Sequence, residues 1–321
     1  MELIVNVPSA EIRRSPKEQA ARPDLSCVED EVLFGMRLYA EGEEKEGWIP
    51  VMTEYRYKGW VRRGDCAFYS REKETEASSC VLDLAEALSD YPDNNRVKII
   101  LNKSFADVLS GPSVKASAVI RSLPRGARVE IADDPSGAEH PSWQKVKLPD
   151  GREGYIPEGI LGDYYARPLI NPDGSLTEDG RRSAWLSQGE NPEEIFRRRI
   201  TSTARLYKGA CYRWGCKTPS GIDCSGLCHT AYILNGIRIF RDSHMEDDFP
   251  IHPITMDKMK EGDLIYFPGH VAMYLGNQEY IHSTAAAGSD GVTINSLDPA
   301  SPIYRADLPE EIRAVGSYFT D

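Results

Sequence analysis

Short strand-like segments, separated by turn residues, fill most of the first 165 positions. Residues 32–40 (VLFGMRLYA) and 47–55 (GWIPVMTEY) are rich in Val, Leu, Ile and aromatic side chains and are bounded by Gly and charged residues. After residue 93 the pattern returns as VKIIL, SAVIRSL, ARVEIA, WQKVKL and GYIP. Strands at roughly ten-residue spacing are typical of small barrels. The pattern predicts two small β domains, 1–75 and 93–165, joined by a helical connector over 76–92.

The two β domains repeat one order of landmarks: a Gly-containing turn, a Trp-led strand and then a Gly-aromatic-Val/Ile step. The landmarks are Gly35, Trp48 and Gly59-Trp60-Val61 in the first domain, and Gly126, Trp143 and Gly154-Tyr155-Ile156 in the second. This order resembles bacterial SH3-like domains, which implies two SH3-like β-barrels. Two unrelated small β units are the alternative.

A change in residue composition marks the start of the last domain. Residues 166–190 are rich in Gly, Pro, Ser and charge, which is typical of a linker. A helix is then predicted to begin after Asn191, a good N-cap residue, with Pro192 in the first helical position. Residues 191–321 are long enough for one α/β domain, so the chain as a whole is predicted to be α+β.

Charge and cysteine content limit the partners and the compartment. The 321 residues hold 38 Lys and Arg against 50 Asp and Glu, a formal charge of −12. Nucleic acids and anionic membrane surfaces attract a positive field, so we expect neither as a partner. The cysteine count of seven is odd and too low for a disulfide scaffold, so we interpret these residues as reduced thiols. Because the segment MELIVNVPSAEIRRSP lacks a secretory pattern, we expect a cytoplasmic location unless a signal peptide has been removed.

The segment Gly221-Ile222-Asp223-Cys224-Ser225-Gly226-Leu227-Cys228 carries the main chemical signal. The apolar spacing after Asp223 predicts a helix whose first turn contains Cys224. Free N–H groups at a helix start favour a thiolate, so we expect a lowered pKa for Cys224 and a nucleophilic role. Cys228 would be a small core residue, and Cys211 and Cys216 receive no role. A purely structural cysteine is the alternative.

A thiol nucleophile needs an imidazole base, and two histidines lie downstream. The runs HVAMYLG and EYIHST flank a Gly-Asn step, which predicts a β-hairpin. With Gly276 at its centre, His270 and His282 are each six residues away and directly opposed on one face of the sheet. One imidazole would then act as the base on Cys224 while the other orients it. A slip of one residue would place the two histidines on opposite faces.

Zinc is the competing interpretation of the same residues. The spacings Cys211-x4-Cys216 and Cys224-x3-Cys228 differ from the two-residue spacing of common zinc knuckles. Cys224 with His270 and His282 would still offer three ligands. We favour catalysis and expect neither a metal nor any other cofactor.

These residues resemble the NlpC-type cysteine peptidases of bacterial cell-wall metabolism. The matching segments are YRWG, DCSGL, RDS (Arg241 to Ser243), GDLIYF, HVAMYLG and YIHST, in the family's order over about 110 residues. Because two SH3-like domains precede these segments, the chain resembles one group within this family more narrowly. This group is the γ-D-glutamyl-L-diamino acid endopeptidases that process free murein peptides. The resemblance implies a papain-like α/β fold, with Cys224 as nucleophile, His270 as general base and His282 as the orienting residue.

The resemblance also implies a set of substrate-binding residues. Tyr212 matches a tyrosine beside the nucleophile, and its hydroxyl and the Cys224 backbone N–H would stabilise the oxyanion. The positions that match those lining the D-Glu and N-terminal side of the substrate are Trp214, Asp223, Ser225 and Ser243. An ammonium group on the ligand suits Asp223 and a nearby glutamate.

In the narrower group, the first SH3-like domain supplies an acidic residue and a tyrosine that select a free N-terminal L-Ala. Glu31 and Tyr57 are our candidates, with Glu29 or Tyr55 as alternatives in this loosely determined register. Where the family often carries a glutamine after RDS, this chain has HMEDD, so Glu246 or Asp247 would change the chemistry there.

Together these features predict hydrolysis of the bond between γ-D-Glu and Lys or diaminopimelate in murein peptides with a free N-terminal L-Ala. The expected partner is therefore a small L-Ala-γ-D-Glu-diamino acid peptide, and the oligomeric state is left open. Two alternatives remain: an exported autolysin acting on intact wall, and a non-catalytic wall-binding module.

Overall fold

The computed structural model describes residues 1–16, 27–68, 96–134, 140–183, 185–186 and 191–320. The chain divides into two compact units, Met1–Ala166 and Arg167–Asp321. The predicted connector 76–92 lies outside the described residues. No helix in the described part of the chain is both long and apolar enough to cross a membrane. Each cysteine within those ranges is a free thiol.

An antiparallel seven-stranded sheet forms the first part of the first unit. In order along the sheet, the strands run β3-β2-β6-β5-β4-β1-β7. Buried side chains from alternate positions of these strands, such as Leu3, Val5, Ile12 and Val32, form its core. The strands are β1 (Glu2–Val5), β2 (Ser9–Arg13), β3 (Val28–Leu33), β4 (Arg37–Ala40), β5 (Trp48–Thr53), β6 (Lys58–Arg62) and β7 (Cys66–Phe68).

A second seven-stranded sheet repeats this topology. Its strands are β8 (Val97–Ile100), β9 (Phe105–Leu109), β10 (Val119–Pro124), β11 (Arg128–Ile131), β12 (Trp143–Lys147), β13 (Glu153–Pro157) and β14 (Leu161–Asp163). Their order is β10-β9-β13-β12-β11-β8-β14, which is the first order with seven added to each number. The repeat read from the sequence landmarks therefore corresponds to one topology present twice.

Two glycine landmarks show why the repeat needs this residue type. Gly59 lies in β6 and Gly154 at the equivalent place in β13. A Cβ atom at Gly59 would overlap the side chain of Ile12, and one at Gly154 would overlap that of Val108. Because Ile12 and Val108 occupy the equivalent strands β2 and β9, the same close approach is present in both sheets.

A buried ion pair connects the two sheets of the first unit. Glu54 follows β5, and Arg128 begins β11. Arg128 donates from Nη1 to Glu54 Oε2 at 2.7 Å, and its Nη2 contacts Oε1 of the same carboxylate. The arginine backbone N–H also donates to the Phe34 carbonyl at 2.8 Å. Both charges are almost fully removed from solvent, so each depends on the other.

The second unit combines a six-stranded sheet with helices. The helices are α1 (Glu178–Arg182), α2 (Pro192–Arg205) and α3 (Cys224–Ile233). The sheet order is β17-β22-β18-β19-β20-β21. A separate two-stranded sheet precedes α3. The strands are β15 (Lys217–Thr218), β16 (Gly221–Ile222), β17 (His252–Ile254), β18 (Leu264–Phe267), β19 (His270–Gly276), β20 (Glu279–Thr284), β21 (Gly291–Ser296) and β22 (Ala314–Ser317).

Local sequence signals set the helices of this unit. The Asn191 side chain accepts from the Glu193 backbone N–H at 3.1 Å, with Pro192 as the first helical residue, so the predicted start of α2 is confirmed. All ten residues of α3 are buried, and the helix packs against β19 and β20. This packing places the start of α3 beside the strands that carry His270 and His282.

Candidate active site

Cys224 is the first residue of α3, as its sequence pattern predicts. The preceding Asp223 is the N-cap residue, and its Oδ1 accepts from the Gly226 backbone N–H at 2.6 Å. This cap fixes the first turn of the helix and therefore the direction of the cysteine side chain. Cys224 is 7% exposed, so its side chain is largely removed from solvent.

Burial dominates the acidity of this thiol. It raises the pKa of Cys224 to about 11, and the Asp223 carboxylate acts in the same direction. Hydrogen bonds from the backbone N–H groups of Val271 and Ser225 oppose the shift without reversing it. The expectation of a lowered pKa from the helix start is therefore wrong. The resting site holds a thiol, so a base must remove its proton during any attack.

The two histidines lie in contact on neighbouring strands. His270 begins β19 and His282 lies on β20, and His270 Nε2 is 2.8 Å from His282 Nδ1. His282 is completely buried. The Val271 backbone N–H that reaches the Cys224 sulfur belongs to the residue after His270. The nucleophile and both imidazoles are thus brought to one place.

The hairpin register differs from the predicted one. Tyr274 pairs with Tyr280, and Gly276 pairs with Glu279. The two-residue turn is therefore Asn277-Gln278, with φ of 51° and 61°, and Gly276 is not its centre. Continued along the strands, this register leaves His270 two positions away from direct opposition to His282, so the predicted face-to-face pairing is wrong. An even offset keeps both side chains on one face, where diagonal neighbours still meet.

Burial also sets the charge state of the histidines. It lowers the pKa of His270 to about 3, with His282 adding to the shift. It lowers the pKa of His282 to about 4, against the hydrogen bond that His282 donates to Asn295 Oδ1, which raises it. Both imidazoles are therefore neutral near pH 7, which is the form that accepts a proton from the Cys224 thiol.

The low pKa of His282 predicts acid-sensitive folding. Because the folded pKa of about 4 lies below the ordinary value of 6.5, the unfolded chain binds the proton first as pH falls. Stability present above pH 6.5 is then lost toward pH 4. Between pH 7 and pH 5 we expect His282 to account for a loss of about 2 kcal/mol in the free energy of unfolding. Urea titrations at both pH values should show a smaller loss in His282→Gln. An equal loss in the variant would contradict the assignment.

Arg241 contacts the first residues of α3 and is 1% exposed. Its Nη1 and Nη2 donate to the two oxygens of Asp223 at 3.1 and 3.0 Å, and Nη1 also donates to Ser225 Oγ at 2.7 Å. Asp223 Oδ2 further accepts from the Gly215 backbone N–H at 2.7 Å. The Asp223 charge is thus balanced within the protein, a structural task that the motif did not indicate. Its contact with a substrate ammonium group stays a prediction.

The other predicted substrate residues of the second unit surround Cys224 to different degrees. Burial raises the pKa of Tyr212, and the Cys224 thiol acts in the same direction. Trp214 is 57% exposed and offers an aromatic surface to solvent. Ser225 follows the nucleophile and is buried, whereas Ser243 is half-buried two residues after Arg241. Their substrate contacts stay predictions.

The segment HMEDD, which replaces the family's glutamine after RDS, contains two side chains that contact each other, His244 and Glu246. His244 lies 3.2 Å from a carboxylate oxygen of Glu246, and both side chains are about half exposed. Asp247 is also exposed.

Glu31 and Tyr57 lie in the first unit, on β3 and just before β6. Glu31 is buried opposite Glu11, and the Tyr57 backbone N–H donates to Thr53 Oγ1 at 3.0 Å. Tyr55, the alternative, is buried and donates its hydroxyl to Asp30. Tyr55 is thus a buried residue of the first unit. The role of Glu31 and Tyr57 in selecting the substrate amine stays a prediction.

The described residues provide no support for a zinc site. No group of three or more His, Cys, Asp or Glu side chains within them is arranged to hold a metal ion. His270 Nε2 and His282 Nδ1 face each other as a hydrogen-bonded pair, whereas metal ligands converge on a common point.

One site residue lies outside every motif. Asn295 on β21 contacts His282 Nε2 through Oδ1 at 2.9 Å. The pairing of β20 with β21 brings it there, with His282 directly opposite Thr293. Sequence patterns along a single strand do not reveal such a neighbour, because it depends on the register between two strands.

Sequence comparisons agree with this geometry. The profile of the NlpC/P60 family matches residues 209–306, and that of the bacterial SH3 domain matches 104–161. Dipeptidyl-peptidase 6 of Lysinibacillus sphaericus is 36% identical over 304 residues, which cover 93% of this chain and 95% of that protein. The chain therefore belongs to the NlpC/P60 family of cell-wall cysteine peptidases, and the resemblance inferred from the motifs is confirmed.

One further relative matches part of the chain, and one solved structure matches all of it. The γ-D-glutamyl-L-lysine dipeptidyl-peptidase of Bacillus cereus is 36% identical over 100 residues, 28% of this chain and 29% of that protein. A crystal structure of an NlpC/P60 family protein from Bacillus cereus aligns over the full length of both chains, with a TM-score of 0.67 and 19% identity. This second likeness is one of fold.

Proposed function

We propose that the protein hydrolyses the bond between γ-D-Glu and a diamino acid, Lys or diaminopimelate, in murein peptides with a free N-terminal L-Ala. The observation that carries a peptidase reaction is the placement of Cys224 at the start of α3 beside the His270–His282 pair. Two relatives bear the names of dipeptidyl-peptidases, a class that releases dipeptides from an amino terminus. Their names support the proposed substrate.

The reaction begins with proton transfer from Cys224 to His270 as the sulfur attacks the carbonyl carbon of the γ-D-glutamyl bond. The carbonyl oxygen becomes an oxyanion, for which the Cys224 backbone N–H and the Tyr212 hydroxyl are the proposed donors. His270 then gives its proton to the leaving amine, the C–N bond breaks and a thioester remains. Water, deprotonated by His270, attacks the thioester, releases L-Ala-γ-D-Glu and leaves the thiol restored.

Selection of a free amine gives the sharpest test of this substrate. We expect L-Ala-γ-D-Glu-L-Lys or its diaminopimelate counterpart to yield L-Ala-D-Glu, detected by mass spectrometry. Acetylating the L-Ala amine should lower kcat/KM by at least about 100-fold, because a site built for a charged group rejects a ligand that lacks it. Equal rates for the free and acetylated peptides would contradict the proposed selectivity.

The test also separates the alternatives. An autolysin would clear a suspension of purified sacculi and would accept acylated or sugar-linked peptides. A wall-binding module would sediment with sacculi and release no dipeptide. The proposed place of the reaction is the cytoplasm, where immunodetection in fractionated cells should find the protein.

A further inference from the structure

A chain of three hydrogen bonds connects the histidine pair to a fixed backbone carbonyl. His270 Nε2 is 2.8 Å from His282 Nδ1, and His282 Nε2 is 2.9 Å from Asn295 Oδ1. Asn295 Nδ2 donates to the Ile303 carbonyl at 2.9 Å. The same carbonyl accepts from the Ser296 backbone N–H at 3.1 Å, which holds it against the end of β21.

The Ile303 carbonyl determines the direction of each of these three hydrogen bonds. A carbonyl oxygen only accepts, so Asn295 must direct its NH₂ group to Ile303 and its oxygen to His282. His282 must then carry its hydrogen on Nε2. Because His282 is neutral, its Nδ1 is an acceptor, and the donor facing it is the Nε2–H of His270.

One nitrogen of His270 is left to act as a base. Its Nε2 holds the hydrogen given to His282, so the lone pair lies on Nδ1. His270 adjoins Val271, whose backbone N–H reaches the Cys224 sulfur. The bare nitrogen is therefore the one available to the thiol.

We propose that Asn295 is a positioning residue that sets the tautomers of both histidines and so leaves Nδ1 of His270 free to deprotonate Cys224. This inference deepens the proposed peptidase function and rests on it. Asn295 touches neither substrate nor thiol in this scheme; it acts through His282 and His270.

To compare the titration of the histidines between the native protein and a variant, the charged groups near them must stay the same. Cys224 lies at the start of α3, and Arg305 and Asp307, from the segment after β21, act on the pKa values of both histidines. Arg305 donates to Asp307 at 2.9 Å and to Thr284 Oγ1 at 3.3 Å. The substitutions at Asn295 leave all of these groups unchanged.

Direct observation of the tautomers tests the inference without any substrate. In protein labelled with ¹⁵N-histidine at pH 7, long-range ¹H–¹⁵N spectra should show hydrogen on Nε2 of both His270 and His282. Asn295→Leu keeps the side-chain shape but removes both hydrogen bonds, so His282 should lose this preference. Hydrogen on Nδ1 of His282 in the native protein, or unchanged tautomers in the variant, would overturn the proposal, whatever the true substrate.

Enzyme kinetics provide a second test of the role of Asn295. Asn295→Leu should lower kcat by about 100-fold with KM within about threefold, because disturbing the tautomer of a catalytic histidine impairs its proton transfer. In Asn295→Asp, the carboxylate favours the charged imidazolium, so the acid limb of kcat/KM should move to higher pH by at least about one unit. Thr293→Val is the matched control, since Thr293 lies directly opposite His282. Unchanged kcat in Asn295→Leu and an unmoved acid limb in Asn295→Asp would contradict the role.

Discussion

Replacing Cys224 by alanine is expected to lower kcat/KM for the tripeptide by at least about 10⁴-fold, since the covalent route is then lost. The size of the effect follows from the geometry of the site. The thiol is buried at the start of α3, its pKa is raised to about 11, and the neutral His270 is the group placed to remove its proton. Without the sulfur, no thioester forms.

Two controls separate loss of chemistry from loss of structure. Cys211→Ser changes an exposed thiol and should leave the rate within about twofold, because isolated surface substitutions seldom alter the fold. Cys224→Ala should also retain the native urea-unfolding midpoint to within a small shift. Dipeptide release at the native rate by Cys224→Ala would show that another group performs the reaction.

The second large effect concerns stability. We expect Arg241→Met to lower the free energy of unfolding of the second unit by about 3–5 kcal/mol, because it leaves a buried carboxylate without its cation. Asp223 would retain its backbone donors Gly215 and Gly226 but lose both guanidinium bonds. Urea unfolding followed by tryptophan fluorescence and circular dichroism gives the value.

A double substitution identifies the cause. Asp223→Asn removes the negative charge, so adding it to Arg241→Met should restore part of the lost stability. Arg213→Met, which changes an exposed arginine near the same helix, should stay within about 0.5 kcal/mol of the native protein. Strictly additive losses at Asp223 and Arg241 would contradict the proposed dependence of one buried charge on the other.

Local sequence patterns predicted the parts of the site that depend on neighbouring residues. The N-cap role of Asn191 and the place of Cys224 in the first helical turn both follow from a few adjacent positions. The strand repeat was likewise visible, because each sheet is built from short strands with Gly and Trp at equivalent places. These features need no knowledge of what packs against them.

The errors and omissions concern contacts between distant segments. The pKa of Cys224 depends on burial by β19 and β20, which the helix pattern does not contain. The hairpin centre depends on Asn277 and Gln278 adopting positive φ, whereas the Gly-Asn step pointed one position earlier. Asn295 reaches His282 only through the pairing of β20 with β21. In each case the missing information was the register or the packing of a second element.

The ion pair between the two seven-stranded sheets also distinguishes the two copies of the repeat from each other. Arg37 and Arg128 begin equivalent strands, yet Arg37 forms an ion pair with Glu2 of its own sheet and Arg128 forms one with Glu54 of the other. The contact is thus asymmetric, because one copy supplies the carboxylate and the other supplies the guanidinium. Aligned on Trp48 and Trp143, the second sheet carries Pro149 where the first carries Glu54. The second sheet therefore lacks the carboxylate at this position, so the two copies of the repeat are not interchangeable at the buried ion pair.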